Sequence, residues 1–366
     1  MKKILIIYGT AGEGHKRAAF AVKAAFDARG ESQDDVRLVD ALDYTNPFFK
    51  WSYPRIYIFM VTYIPSIWGF FYYLFDVRWI YPIVKAMRRF GNKRNTRTFE
   101  KFLCDFKPDA VIATHFLASE VISDLKTRGL LETRLITVVT DFRMHSFWYA
   151  ANTDHYCIGF EESRRELIKK WGIAPEKVTV TGIPVHPKFY GVSDKAAIIE
   201  RLGLAKDRVK VLLTGGGFGV GPIMKIVRSL AAGTEKLQVL VVCGHNDKLK
   251  TEMETFLKGR APSPVTFTVF GFVNFIDELM SVADISVTKA GGLICSEAIA
   301  KVLPLIIIAP IPGQEGRNCK ILVANKAAFK ITRPAQAKKI IDRIQAETGL
   351  LEGMRGHIRA MKKGDP

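Results

Sequence analysis

Twice in this chain a short β-rich run breaks into a glycine-rich turn and then into a helical stretch, and this repeat constrains the fold most. Lys3–Tyr8 (KILIIY) enters Gly9-Thr10-Ala11-Gly12-Glu13-Gly14-His15, and the next segment carries Ala18, Ala19, Ala21, Val22, Ala25 and Phe26 as apolar residues. Lys210–Thr214 (KVLLT) enters Gly215-Gly216-Gly217-Phe218-Gly219-Val220-Gly221, with a helix expected from Pro222. Strands separated by helical stretches imply a parallel sheet with crossover helices. Further strands are expected at Val36–Val39, Ala110–Ala113, Leu135–Thr140 and Val178–Val180, then at Val239–Cys243, Thr266–Phe270, Ile285–Thr288 and Leu305–Ile308. The expected fold class is α/β, with two Rossmann-like doubly wound domains facing across a cleft. Residues 1–187 and 188–366 form the two halves, and Pro184–Asp194, with two prolines and Gly191, reads as the linker.

Lys plus Arg number 54 and Asp plus Glu 36, a net charge of +18 over 366 residues. Such a chain prefers a polyanionic partner: nucleic acid, an anionic membrane or a phosphorylated substrate. The five cysteines, Cys104, Cys157, Cys243, Cys295 and Cys319, are scattered, with no CxxC spacing. Neither a disulfide framework nor a structural zinc site is favoured, as suits a reducing compartment. The apolar run after Met1-Lys2-Lys3 stops at Tyr8, too short for a signal-peptide core, so it reads as a buried first strand.

An aromatic, basic insert at about 44–101 interrupts the first half. Between Tyr44 and Phe90 lie 17 of the 40 aromatic residues, and Ile56–Phe75 is a run of 20 residues without charge. That length alone would suit a transmembrane helix. Against this, the run contains Pro65 and Gly69 and is rich in Tyr and Trp, which favour the headgroup level. A single crossing would also separate Lys3–Tyr8 from Ala110–Ala113, which should share a sheet. Lys85, Arg89, Lys93, Arg97 and Lys101 then recur every fourth residue, with Arg88 and Arg94 alongside, a positive stripe if the segment is one helix. Beside Trp68, Phe70, Phe71 and Tyr72, such a stripe reads as a peripheral, monotopic anchor lying on an anionic membrane rather than spanning it. The plainer alternative is a buried helical hairpin followed by a solvated face. No nucleic-acid motif accompanies the charge.

The glycine turns bring backbone N–H groups and helix N-termini close to an anion. Gly9–Gly14, with Gly12 and Gly14, is GxxGxG, and Asp40 ends the second strand, a weak dinucleotide pattern. His15 follows the last glycine and is either a solvated helix-start residue or a base titrating near working pH. Later, Gly291-Gly292 precedes a helix carrying Glu297 in its second turn, placed to accept from a ribose diol. Gln314, Glu315 and Asn318 then sit on the next strand-to-helix loop, with groups suited to sugar hydroxyls.

The stretches GTAGEGH, VVTDFRMHSFWY, TGIPVHPKF, LLTGGGFGVGP, VTKAGGLICSEAIA and IPGQEGRN resemble the processive diacylglycerol glycosyltransferases. That family includes monogalactosyldiacylglycerol synthase and diacylglycerol glucosyltransferase, relatives of the enzyme that adds N-acetylglucosamine to lipid I. The resemblance runs from about Lys3 to Asn325 in the same order. It implies a GT-B fold, with the acceptor lipid on the first domain and a UDP-sugar on the second, followed by a C-terminal helix. Gly291, Gly292 and Glu297 match the pyrophosphate and ribose site, and Gln314, Glu315 and Asn318 the sugar loop. Phe272 and Val273 match the uracil-reading segment, and Gly216, Gly217 and Gly219 the second glycine loop. His15 matches the histidine of the first loop, while Asp141 and His145 match the acceptor-side motif. Thr10-Ala11 and Phe218 depart from that family's pattern.

The expected activity is an inverting transfer of glucose or galactose from a UDP-sugar to diacylglycerol or a related lipid. His15, preferred for its titration range, or Asp141 is the expected base. No cofactor or metal is expected, since the UDP-sugar is a substrate and no strand-end DxD stands out. The expected site of action is the cytoplasmic side of a membrane. Rival readings are a UDP-sugar epimerase, an NAD-dependent oxidoreductase on Gly9–Gly14, and a non-catalytic lipid-binding module.

Overall fold

A computed structural model describes residues 2–10, 12–30, 35–217, 219, 221–233, 236–261 and 263–362. Ala11 and Phe218, the two departures noted in the glycine turns, lie outside them. Contacts group the chain into two compact units. The first reaches Pro187 and includes Ile311–Arg317; the second comprises Lys188–Pro310 and Asn318–Lys362.

The first unit holds a parallel six-stranded sheet of β1 (Ile4–Tyr8), β2 (Val36–Asp40), β3 (Ala110–Ala113), β4 (Arg134–Val138), β5 (His155–Ile158) and β6 (Val178–Val180). Its order is β2-β1-β3-β4-β5-β6. Leu5 and Ile7 enter a core with Phe99, Leu103, Val111 and Ile122, while Ile6 packs on the other face with Ala19 and Val36. A strand buried on both faces reads as a continuous apolar run, and this is why KILIIY was legible. Helix α1 (Glu13–Ala28) follows β1. The insert folds as α2 (Pro47–Tyr63), α3 (Pro65–Phe75), α4 (Tyr81–Asn95) and α5 (Arg97–Phe106); α6 (Phe116–Thr127) and α7 (Glu161–Trp171) complete the unit.

The second sheet comprises β7 (Val209–Thr214), β8 (Leu237–Val242), β9 (Val265–Phe270), β10 (Ile285–Thr288), β11 (Leu305–Ile308) and β12 (Ala328–Ile331), ordered β12-β11-β10-β7-β8-β9 and parallel throughout. Its helices are α8 (Lys195–Arg201), α9 (Ile223–Ala231), α10 (Asp247–Lys258), α11 (Ile276–Val282), α12 (Gly292–Ala300), α13 (Gln314–Ala324), α14 (Ala335–Ala346) and α15 (Leu350–Met361), with α13 starting inside the 311–317 segment of the first unit. Strand order reverses between β1 and β3 in one sheet and between β7 and β10 in the other. Open α/β sheets bind ligands outside such reversals. Both glycine turns sit there, after β1 and after β7.

One reading of the insert, that its uncharged run is not a single span, holds, and another is revised. The uncharged run is not one helix: α2 and α3 meet at an angle of 114°, and among the described residues no single helix is long and apolar enough to cross a membrane. Ile64 breaks the ladder just before Pro65, which lacks the N–H a continuous helix would need. β1 and β3 are adjacent parallel strands, so a single crossing between them is excluded. The basic ladder is also split. Thr96 is fully buried and non-helical between α4 and α5, its hydroxyl donating to the Asn92 carbonyl at 2.9 Å, so Arg97 and Lys101 belong to a different helix from Lys85, Arg89 and Lys93.

Candidate functional site

His15 lies in the first turn of α1, at the carboxyl edge of β1. Its Nδ1 is 3.0 Å from the Thr114 carbonyl, just past β3, and 2.7 Å from Thr140 Oγ1, just past β4. A carbonyl only accepts, so Nδ1 carries the hydrogen and Nε2 keeps a lone pair. Burial pushes the imidazole down to about 4, although the Thr114 carbonyl works against this. The ring is therefore neutral at working pH, and the titration-range reason for preferring it as the base does not survive. Its neighbour His115 packs edge-on with ring centroids 4.7 Å apart, and Trp148 lies 5.8 Å away. His115 Nδ1 accepts from the Leu117 N–H at 3.2 Å, and its buried Nε2 has no hydrogen-bond partner among the described residues. Gly9 is required by this arrangement, because a Cβ there would stand 3.0 Å from the His115 ring.

Asp141 is buried. One carboxylate oxygen accepts from Trp148 Nε1 at 2.8 Å and the other from the Gln314 side-chain amide. Burial raises its carboxyl to about 6 against the pull of these two donors and of Arg317. Trp148 thus touches both His15 and Asp141. Gln314 was expected at a sugar; here its amide is held on Asp141. Glu315 accepts from the Ile311 N–H at 3.1 Å, closing the turn that carries both residues.

His145 is not part of an open acceptor face. It is 1 % exposed; Nε2 donates to the Tyr72 carbonyl at 2.8 Å, and Nδ1 accepts from Phe147 N–H at 3.1 Å, capping the turn Ser146–Trp148. Tyr72 is likewise no membrane residue, at 6 % exposure with its ring 4.2 Å from that of His145. The inner face of α3 seats on 311–317: a Cβ on Gly69 would fall 2.5 Å from Pro312 Cβ, and one on Gly313 (φ +103°) 3.0 Å from the Tyr72 ring. The outer face carries Ile67, Phe70 and Phe71, all exposed, as are Phe59 and Tyr63 of α2. Trp68 is half-buried against Tyr57.

Arg88 also turns inward. It pairs with Glu120 at 2.5 Å and lies over Phe116 and Phe147, while Arg89 pairs with Asp124 at 2.7 Å. Lys85 is half-buried and Lys93 exposed. Gly12 is the N-cap of α1 and Gly14 sits in its first turn. Asp40, the ribose acid of the oxidoreductase reading, is occupied instead by Thr10 and by the Leu42 N–H at 2.9 Å.

In the second unit the turn after β7 locks onto the turn after β8. A Cβ on Gly244 would stand 2.2 Å from the Gly217 carbonyl oxygen and one on Gly219 2.2 Å from that of Cys243; the His245 N–H donates to the Gly217 carbonyl at 2.9 Å. Gly216, with φ +75°, needs its glycine conformation. Gly291 caps α12 and Gly292 opens it, so the first N–H groups of that helix lack intrahelical acceptors. Glu297 is buried in its second turn, and the fully buried Asn318 side-chain amide donates to the Ala290 carbonyl at 2.9 Å. Exposed Phe272 stacks on His245 at 4.2 Å, whereas Val273 is buried. Among the described residues no cluster of three or more His, Cys, Asp or Glu is placed to hold a metal ion.

Trp148, His115, Thr114, Thr140 and His245 escaped the sequence reading. Trp148 stands inside the quoted stretch VVTDFRMHSFWY, but nothing in its spacing marks it as the partner of Asp141.

Comparison with known proteins follows this division. The family model for monogalactosyldiacylglycerol (MGDG) synthase matches residues 15–185, and that for the glycosyltransferase family 28 C-terminal domain residues 210–348. A processive diacylglycerol beta-glucosyltransferase of Bacillus cereus is 30% identical over 330 residues, 90% of this chain and 82% of that protein. Monogalactosyldiacylglycerol synthase 1, chloroplastic, of Arabidopsis thaliana is 31% identical over 93% of this chain and 64% of its own length. Among solved structures, MurG of Acinetobacter baumannii superposes with a TM-score of 0.63 at 15% identity, covering 99% of this chain and 96% of that one, a likeness of fold.

Proposed function

This chain belongs to the family of diacylglycerol glycosyltransferases, and from that premise we propose that it moves a hexose, glucose or galactose, from a UDP-sugar to the free hydroxyl of diacylglycerol with inversion at the anomeric carbon. The acceptor O–H gives its proton to His15 Nε2 as its oxygen bonds to the anomeric carbon, and the bond to the UDP oxygen breaks with its electron pair. Asp141, a carboxylate above about 6, favours the imidazolium that forms. The departing diphosphate is received at the glycine turn of Gly216, Gly217 and Gly219, whose backbone leaves room for it, and at the N-terminus of α12 at Gly291 and Gly292, with Glu297 on the ribose. Phe272 and Val273 take the uracil edge, and the segment that carries Gln314, Glu315 and Asn318 takes the sugar, with the Gln314 amide N–H kept on Asp141 and that of Asn318 on Ala290.

The observation that carries this reading is the His15–Trp148–Asp141 group, with His15 at the strand-order reversal of the first sheet: an imidazole with one nitrogen tied down, packed near a tryptophan whose N–H is bonded to a buried carboxylate. The exposed aromatic face of α2 and α3 supports docking on a membrane, with Lys93, Arg94 and Arg97 as exposed cations for anionic headgroups. The cytoplasmic side suits the five cysteines, which form no disulfide.

Purified protein with diacylglycerol vesicles and radiolabelled UDP-glucose or UDP-galactose tests the transfer; no glycolipid from either donor overturns it. His15→Ala should reduce turnover at least a hundredfold, and a retained rate removes His15 as base. Phe70→Ser/Phe71→Ser should leave the protein in the supernatant on sedimentation with anionic vesicles. Undiminished pelleting would rule out α3 as the anchor.

A further inference from the structure

The first unit contains a buried ionic group that the transfer step does not use. Asp76, the first charged residue after the uncharged run, follows the end of α3. One of its carboxylate oxygens accepts from Arg317 at 2.5 Å; the other accepts from the Ser146 N–H at 2.8 Å, the Ser146 hydroxyl at 2.5 Å and Lys170 at 3.0 Å. Lys170 also donates to the Asp76 carbonyl at 2.6 Å. Arg317 is only 7 % exposed. Its second terminal nitrogen donates to the Met144 carbonyl at 3.2 Å, and the guanidinium lies 5.1 Å over the Tyr72 ring and 5.3 Å over that of Tyr73.

Four segments far apart in sequence meet at this one carboxylate: the end of α3, Lys170 of α7, the stretch from Asp141 to Trp148, and the segment 311–317. The last two carry the two ends of the Asp141–Gln314 hydrogen bond. Ser146 is five positions after Asp141 in the chain, and Arg317 three after Gln314. A buried ion pair gives little net stability over an apolar replacement of similar shape, so its best-attested use is to fix one geometry. The forked guanidinium reaches Asp76 and Met144 at once, which a lysine ammonium on one flexible stem does not reproduce.

We propose that Asp76 and Arg317 are positioning residues for glycosyl transfer, holding the turn 311–317 against the 141–148 stretch so that Gln314 stays on Asp141. The proposal rests on the reading in which Asp141 serves the reaction, and it adds a second duty for Arg317, whose cation favours the Asp141 carboxylate. The other ionisable groups whose charge reaches Asp141 are Tyr57 of α2 and Tyr72 of α3; burial raises both phenols above their ordinary range, so neither changes charge between pH 5 and 9. His15 reaches it through Trp148, their common neighbour.

The Trp148 indole N–H, bonded to Asp141, gives a readout independent of turnover. Full-length protein labelled with 15N-tryptophan, its Trp148 signal assigned by loss in Trp148→Phe, is titrated by NMR beside measurements of kcat, KM and melting temperature. In Arg317→Gln the Trp148 titration midpoint should move upward at least threefold in proton affinity. In that variant kcat should fall tenfold or more, with KM for the UDP-sugar within twofold. Arg317→Lys keeps the charge and loses the fork, so its midpoint should stay while kcat falls. An unchanged midpoint with unchanged kcat in a folded Arg317→Gln overturns the proposal; should that variant not fold, wild-type kcat in Arg317→Lys overturns it. A shifted midpoint in a protein whose wild type makes no glycolipid would refute the transfer reading while leaving the hold of Arg317 on the Asp141–Gln314 pair standing.

Discussion

Replacing Asp141 with Asn should make the protein more stable at alkaline pH while stopping its reaction. Burial lifts the carboxyl from 3.8 to about 6 despite hydrogen bonds from Trp148 and Gln314 and the charge of Arg317. A displacement of roughly 2 pKa units corresponds to about 3 kcal/mol. Between those two values the folded chain holds the proton and the unfolded chain does not, so stability falls as pH rises through the interval. Below 3.8 this group costs nothing; above 6 the full cost of a buried carboxylate is present.

Asn carries no charge at any pH and still accepts from Trp148, while Gln314 can turn its amide to present oxygen. The variant should therefore gain up to about 3 kcal/mol at pH 8, or about 6–12 °C in melting temperature for a unit of this size. Near pH 4 the gain should vanish. Thermal melts of both proteins at pH 4.5 and 8 measure the difference, and the glycolipid assay run alongside should show turnover lost in the variant and, in wild type, an acid limb near 6. Equal melting offsets at the two pH values, or a variant less stable at pH 8, would refute the reasoning that burial, rather than the hydrogen bonds, dominates at Asp141.

Three further substitutions probe the surrounding packing. Gly313→Ala puts a Cβ 3.0 Å from the Tyr72 ring at a φ of +103° and should cost about 1–3 kcal/mol, with kcat reduced because Gln314 is the next residue; melts and turnover check it. Arg88→Gln leaves Glu120, whose carboxyl burial already raises, without its cation. The loss, about 2–4 kcal/mol, should grow as pH rises and Glu120 ionises, and vesicle sedimentation should be unchanged because Arg88 faces Glu120. Gly244→Ala drives a Cβ to 2.2 Å from the Gly217 carbonyl oxygen and should weaken UDP binding at least tenfold in calorimetry.

The sheets were legible because parallel strands buried on both faces are unbroken apolar runs, and because glycine punctuates the turns after β1 and β7. β5 (HYCI) and β12 (AFKI) were missed: each has four residues, half of them polar or small, and neither stands out from a loop. His15, Asp141 and Gln314 could be singled out because each lies in a recognisable stretch, yet that Gln314 binds Asp141 was not legible. The pair is 173 residues apart, and Asp76 and Arg317 are 241 apart, separations that leave no local periodicity to read. The ladder from Lys85 to Lys101 misled for the opposite reason. Its four-residue spacing is genuine, but buried Thr96 interrupts the helix, and a spacing argument holds only within one helix.

Helix α3 shows why the uncharged run mimics a membrane span. Its inner face must lie directly on Pro312 and Gly313, which demands Gly69 and an aromatic ring at Tyr72 and tolerates no charge of its own, since the charge in that wall is supplied by Arg317. Its outer face, with Ile67, Phe70 and Phe71, is exposed and apolar, which suits the lipid contact we propose. Two separate demands on opposite sides of 11 residues thus produce the composition of a span, continued into α2 across the bend at Pro65. The run ends at Asp76 because that position turns inward to the carboxylate's buried partners. It follows that polar substitutions on the two faces should separate: outer-face changes should affect vesicle binding alone, and inner-face changes turnover alone.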